Sequence, residues 1–287
     1  MAKDKYTAIW VSHSSISDYL KCPRLYFLRN IYRDPKRNRK ISIVQPALAL
    51  GQVVHDTIDA LSRLGQKERF TTSLLETFFL RWKTISGKLG GFRDKEEEEI
   101  YKAKGKAMIE QIMNHPGPLK NKAIKIRQNL PYYWLSEEEN IILCGKIDWL
   151  EYIPESDSVH IIDFKTGKYD EDPDSLQLPI YYLIVRHCQT RPITKASYWY
   201  LDRDVSPKEA VLPHEEESEK RIMELAKKIA LARKLEHFNC KSKDGCRYCK
   251  PYEDIVRGKA QWVGTNEYGQ DMYIVANEIP PLTAGEK

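Results

Sequence analysis

The chain has 287 residues, of which 41% are hydrophobic and 30% charged, and it carries a formal net charge of +5. That balance fits a soluble globular protein able to bury a large core. No apolar run is long enough to span a bilayer, and the opening residues lack the charged head, apolar middle and small-residue cleavage site of a secretory signal. A cytoplasmic protein without membrane association is therefore expected. The mild basic excess is compatible with a nucleic-acid partner without establishing one.

Up to residue 119 the sequence predicts mainly helices. Residues 14–31 place Ile16, Tyr19, Leu20, Tyr26, Phe27 and Ile31 at helical recurrence, with Ser14 or Ser15 as cap. Residues 46–64, 72–86 and 95–114 read as further helices. The last opens on Glu96, Glu97, Glu98 and Glu99, whose charge complements a helix N-terminus and reads as a solvated face. One basic group, Lys36, Arg37, Arg39 and Lys40, follows the first helix; another, Lys120, Lys122, Lys125 and Arg127, clusters near the predicted sheet. Each suits phosphate contact and plain solvation equally.

Beyond the break at Pro116, Gly117 and Pro118, residues 123–135, 141–153 and 158–165 read as three successive strands in a meander. Residues 176–188 read as a helix despite Pro179, 195–202 as a strand and 215–238 as a long amphipathic helix. Residues 259–279 suggest a hairpin that either adds a strand pair or mediates association. The expected organisation is a helical region (1–119), an α/β core (120–238) and a cysteine cluster with the hairpin (239–287), in one compact domain.

The chemistry concentrates in that core. Asp163 and Lys165 are two apart on a predicted strand, so both leave one face while Phe164 points the other way. Alone, such a triplet is more often an ordinary ion pair. Here Asp148 stands on the preceding predicted strand, three residues after Gly145. Paired carboxylates offer hard oxygen ligands to a divalent cation, and a neighbouring lysine can position or help deprotonate water. The arrangement suits metal-assisted hydrolysis of a phosphodiester. Upstream, His55 follows Gly51 by four residues; downstream, Gln177 and Tyr181 share one helical face.

These motifs, Gly-x-x-x-His, Gly-x-x-Asp, Asp-x-Lys and Gln-x-x-x-Tyr in that order, resemble the RecB-like branch of the PD-(D/E)XK nuclease superfamily over most of the chain. The resemblance implies a restriction-endonuclease-like α/β core, its mixed central sheet flanked by helices, behind an N-terminal helical region. It also implies that His55, Asp148, Asp163 and the backbone carbonyl of Phe164 ligate Mg2+ or Mn2+. Lys165 would be the catalytic lysine, with Gln177 and Tyr181 completing the site. The family often has an acid on its first core strand; the corresponding stretch here, 126–130, holds Arg127 and Gln128.

Six cysteines fall into two groups. Cys144 and Cys188 sit in apolar patterns that suit buried thiols. Cys22, before Pro23, and the cluster Cys240, Cys246 and Cys249 can supply four thiolates to zinc or to an iron-sulfur cluster, a better reading than disulfides in a reducing compartment. One cysteine before the core and three after it is similar to the CRISPR adaptation nucleases and the AddB type of helicase-nuclease, which implies a structural 4Fe-4S cluster. Here the close Cys-x2-Cys pair ends the set, where the family usually has it first. Zn2+ is the alternative.

The expected function is a metal-dependent DNA nuclease, an exonuclease acting on single-stranded DNA ends in repair, recombination, or CRISPR or viral DNA processing. No Gly-x4-Gly-Lys-Ser/Thr phosphate loop is present, so unwinding would fall to a helicase or recombination partner. A structure-specific endonuclease or RNase of the same fold, and a non-catalytic nucleic-acid-binding module, stay open at this point.

Overall fold

The computed structural model describes residues 4–71, 73–126 and 128–275. Thr72 at the start of one predicted helix, Arg127, and residues 276–279 of the predicted hairpin lie outside that set. In chain order the first elements are β1 (Ile9–Val11), α1 (His13–Lys21), α2 (Pro23–Tyr26), β2 (Ile41–Ile43), α3 (Pro46–Leu61), α4 (Leu74–Trp82) and α5 (Lys95–Asn114). Then follow β3 (Tyr132–Ser136), β4 (Ile141–Cys144), β5 (Trp149–Ile153), β6 (Ser158–Lys165), α6 (Gln177–Cys188), β7 (Ile193–Tyr200) and β8 (Lys208–Ala210). The chain closes with α7 (Glu215–Lys234), α8 (Lys250–Val256), β9 (Ala260–Thr265) and β10 (Asp271–Val275). Among the described residues no helix is long and apolar enough to cross a membrane.

Two compact units result. Among the described residues, the first takes in 4–45, Tyr133–Cys144 and 216–275; the second takes in Pro46–Tyr132 and Gly145–Glu215.

The second unit is built on a mixed four-stranded sheet in the order β5-β6-β7-β8. Strand β6 runs antiparallel to β5 and parallel to β7, with α6 as the crossover, and β7 is antiparallel to β8. All of β6 except Lys165 is buried, as its near-continuous apolar run requires of a central strand. Leu50, Val54 and Ile58 of α3, Phe78 of α4 and Ile109 of α5 share one core with Trp149, Ile162, Phe164 and Trp199 of the sheet. Gly105 permits that closeness, since a Cβ there would lie 2.7 Å from Phe78 Cζ and 2.8 Å from Leu50 Cδ1.

The predicted meander does not form. Among the described residues of 123–135, only Ala123 bridges to β5, opposite Glu151, supported by the Ile124 amide donating to the Leu150 carbonyl. Pro131, which has no amide to donate, precedes β3. The predicted strand 141–153 divides at residues 145–148: β4 joins β1 and β3 in a sheet of its own, while β5 enters the sheet with β6.

Two polar groups in this unit are structural. Glu98 is not merely solvated, because it accepts from Trp82 Nε1 at 3.0 Å, Ser86 Oγ at 2.6 Å and the Gly87 amide at 2.9 Å. Across the sheet, Glu151, His160 and Ser197 form a buried line. His160 Nδ1 lies 2.8 Å from Glu151 Oε2 and Nε2 lies 2.7 Å from Ser197 Oγ, while Asn121 donates to the other Glu151 oxygen. Ser197 is 2% exposed, so the line works as internal glue between three strands. Burial works against the Glu151 carboxylate, but the bonds from His160 and Asn121 prevail and hold its pKa below the ordinary value. A depressed carboxyl pKa contributes stability above its unfolded value that is lost as pH falls through the folded one. Glu151→Gln should therefore cost about 1–3 kcal/mol at pH 7, and the gap to wild type should narrow below pH 4.5. Urea unfolding at both pH values checks this; a gap that widens in acid would contradict it.

The first unit explains the N-terminal and C-terminal segments. The predicted helix 14–31 is broken at Cys22, whose extended backbone (φ −169°) is what a residue before proline prefers. Ser12, rather than Ser14 or Ser15, caps α1 in a reciprocal pair with Ser15. After α2 the chain makes a π turn at Phe27–Ile31. The hairpin adds a strand pair: β10 pairs with β9 and, in parallel, with β2. Its Asp271, fully buried, faces Arg37 at 3.5 Å and Arg39 at 3.6 Å. Half of the first basic group is thereby committed to holding the hairpin.

Candidate active site and cysteine cluster

The motif residues of the core come together in the second unit. His55 lies in α3, Asp148 just before β5, Asp163 and Lys165 at the end of β6, and Gln177 and Tyr181 one turn apart at the start of α6. Phe164 is buried, edge-on to His55 and tilted against Trp199. Asp163 and Lys165 leave the other face together, Lys165 Nζ lying 3.1 Å from Asp163 Oδ2. The two motif glycines make room. A Cβ on Gly51 would stand 3.2 Å from Thr166 Oγ1, and one on Gly145 would stand 3.0 Å from Ile184 Cδ1 and 3.5 Å from Tyr181 Cε1.

Two arms of polar contacts meet at the acids. On one, His55 Nδ1 is 3.2 Å from Asp148 Oδ2, which also accepts from the Phe164 amide at 3.0 Å. On the other, Lys165 Nζ donates to Gln177 Oε1 at 2.5 Å. Gln177 Nε2 in turn donates to Asp163 Oδ1 at 2.7 Å and to the Tyr181 hydroxyl at 3.2 Å. Gln177 is thus the link between lysine, aspartate and tyrosine, which accounts for its place in the motif.

Glu171 is a member that sequence reasoning missed. Its Oε2 lies 2.6 Å from Lys165 Nζ, its side chain is only 5% exposed, and its amide donates to the Tyr200 hydroxyl at 2.8 Å. Arg203 steadies the same loop by donating to the Lys168 carbonyl and pairing with Asp170. The signal available in sequence was the acidic run 170–174 directly after the Asp-x-Lys motif.

The two carboxylates of the cluster are perturbed in opposite directions. Burial pushes the Asp163 carboxyl up, against the pull of Lys165 and with a further push from Asp148. Asp148 is held low despite burial because His55 and the Phe164 amide stabilise its charge. His55 is raised to about 9: burial opposes the imidazolium, but the Asp148 carboxylate prevails. Two desolvated carboxylates in contact cannot both carry full charge cheaply. One oxygen marks the deficit. Asp163 Oδ2 is buried, and the Lys165 ammonium 3.1 Å away is the one partner found for it among the described residues. A buried carboxylate oxygen with only the Lys165 ammonium near it, beside a second carboxylate and a histidine that would give up its proton on ligation, is a donor set that fits Mg2+ or Mn2+.

The four cysteines form a second donor set, within the first unit. The sulfurs of Cys22, Cys240, Cys246 and Cys249 all lie within 4.8 Å of one another, and none is in a disulfide. The Ser242 amide donates to Cys240 Sγ at 3.4 Å and the Cys246 amide to Cys249 Sγ at 3.3 Å, contacts that favour thiolate. Against burial, such bonds bring the Cys240 thiol down to about 7. Gly245 takes φ +86°, and a Cβ there would lie 3.3 Å from Cys249 Sγ, so the loop needs glycine to wrap the sulfurs. Arg24 reaches Glu253 of α8 at 2.5 Å, fastening α2 to the helix that follows the cluster. Cys144 is outside the set, and burial raises its thiol to about 11.

Comparison with known proteins agrees with this geometry. The sequence matches the family model of the PD-(D/E)XK nuclease superfamily over residues 10–255, a span that includes the acidic cluster and all four clustered cysteines. No curated protein matched the chain. With the model covering most of its length and a mixed sheet placing Asp163 and Lys165 beside Asp148, the chain belongs to the PD-(D/E)XK nuclease superfamily.

Proposed function

We propose that this chain is a divalent-cation-dependent deoxyribonuclease of the RecB-like branch that degrades single-stranded DNA from its ends. Membership of a nuclease superfamily points to phosphodiester hydrolysis. The observation that carries the reading further is the buried, under-satisfied Asp163 Oδ2 set between Lys165 and the Asp148–His55 pair. His55, Asp148, Asp163 and the Phe164 carbonyl would hold Mg2+ or Mn2+, which when bound supplies a water of lowered pKa and offsets charge on the phosphate.

The protein's own part is positioning. Burial lowers the pKa of the Lys165 ammonium, but Asp163 and Glu171 prevail and hold it above the ordinary lysine value. Lys165 can therefore present a fixed positive charge to a phosphate oxygen. Gln177 orients Asp163 and Lys165 at once, and Tyr181 supports Gln177 from the next turn. The His55 motif and the Gln177–Tyr181 pair, both engaged with the acids, support the RecB-like assignment.

The cysteine set supports a structural metal centre. The resemblance favours a 4Fe-4S cluster. The sulfur spacing favours Zn2+, because four thiolates about 2.3 Å from one tetrahedral ion stand roughly 3.8 Å apart, close to the 3.7 Å between Cys246 and Cys249.

Linear and circular single strands, linear duplex and RNA separate the modes of action. With Mn2+ or Mg2+, linear single-stranded DNA should be shortened progressively while circular single strands persist. Cleavage of circles at a comparable rate would overturn the exonuclease reading.

A further inference from the structure

Beside the site, in the second unit, a cleft of about 460 Å³ runs from Asp148 along residues 123–126, Gln128, Asn129 and Pro131 to the end of α3 and the two residues after it. Among the described residues its lining carries three cations, Arg63, Lys125 and Lys146. Lys122, from the same predicted basic group as Lys125, is instead placed over the Tyr152 ring at 5.1 Å. Among the lining residues the carboxylates are Asp148, which belongs to the site, and Asp59. Asp59 sits one helical turn beyond His55, with Arg63 Nη2 3.7 Å and Lys146 Nζ 3.8 Å from the same oxygen. The side chains of Arg63 and Lys146 are 72% and 56% exposed. The two cations are thus gathered around one carboxylate at the mouth of a cleft that ends on a candidate metal ligand.

We infer that this cleft is the track for a single nucleic-acid strand, with Arg63, Lys125 and Lys146 binding successive phosphates and Asp59 holding the cations in place until a phosphate displaces it. The inference rests on the nuclease reading and adds the substrate path. A volume of this size holds a drug-sized ligand, enough for a nucleotide or two of one strand. Phosphate contacts of this kind set affinity and its salt dependence without reading sequence.

The test is fluorescence anisotropy of a labelled single-stranded 20-mer on the full chain in EDTA, so that binding is read without cleavage. Lys146→Ala and Arg63→Ala should each weaken binding about 5–10-fold and reduce the salt slope by about one, with Lys146→Arg restoring most of the affinity. Asp59→Asn should tighten binding about 2–5-fold, since it removes a like charge from the phosphate track. A duplex of equal length should bind more weakly. Unchanged affinity and slope in both alanine variants, weaker binding in Asp59→Asn, or duplex preferred over single strand would overturn the inference. Binding as described by a protein that never cleaves would leave the track standing and remove the nuclease reading alone.

Discussion

Asp163→Asn should lose cleavage by at least about 10³-fold, roughly 4 kcal/mol of barrier, while the metal-free protein becomes no less stable. The two halves of that result come from the same oxygen. Asp163 is 1% exposed, and its Oδ2 has near it only the Lys165 ammonium, which keeps Glu171 as a closer partner when Asp163 is neutralised, so the folded protein bears the cost of an ill-satisfied charge kept for its chemistry. Removing the charge relieves the fold and disables the site. Lys165→Ala should abolish cleavage to a similar degree but with the opposite effect on stability. It strips the partner from both Asp163 and Glu171, and breaking a buried ion network costs about 3–5 kcal/mol. Single-turnover cleavage beside urea unfolding reads both quantities. Asp163→Asn with wild-type activity would sink the site, and Lys165→Ala of unchanged stability would sink the ionic network.

The second large effect belongs to the cysteines. Cys249→Ser should eliminate the metal centre and destabilise the first unit, because Cys249 is fully buried in the cluster that also contains Cys22, Leu25, Ile41 and Tyr252. A structural metal is folding free energy, and a thiolate site for zinc in small domains is worth about 10 kcal/mol or more. Even a fraction of that exceeds what one small apolar cluster supplies. Cys144→Ser is the matched control, a buried cysteine of the same unit outside the donor set. The expected result is wild-type metal content for Cys144→Ser, and for Cys249→Ser loss of metal, early melting and protease sensitivity in the first unit. Absorbance near 400 nm would identify iron-sulfur and stoichiometric zinc the alternative. Equal metal content in both variants would contradict the assignment.

What was legible in the sequence was local. Strand β6 and helix α5 are bounded where the apolar pattern places them, and the side-chain alternation at Asp163, Phe164 and Lys165 follows from strand geometry alone. The order of the four motifs carried His55, Asp148, Gln177 and Tyr181 to one place although they are far apart in the chain. What escaped depends on partners remote in sequence. Residues 141–153 are one apolar run, but their halves serve different sheets, and nothing within the run says which strands await them. Strands β1, β2 and β8 span three residues each, too short for periodicity to register. Arg37 looked as suited to phosphate as to solvent until Asp271 was found against it. Glu171 lies in a loop, where side-chain direction follows no period.

The central claim is that His55, Asp148, Asp163 and Lys165 form a cation-dependent phosphodiester-cleaving centre. Its most direct test is cleavage of an end-labelled single-stranded oligonucleotide by the purified wild-type chain during titration with Mn2+ or Mg2+. Cleavage should appear with the cation, saturate, and vanish on adding EDTA. No cleavage of any DNA or RNA with either ion, or cleavage that persists undiminished in EDTA, would contradict it.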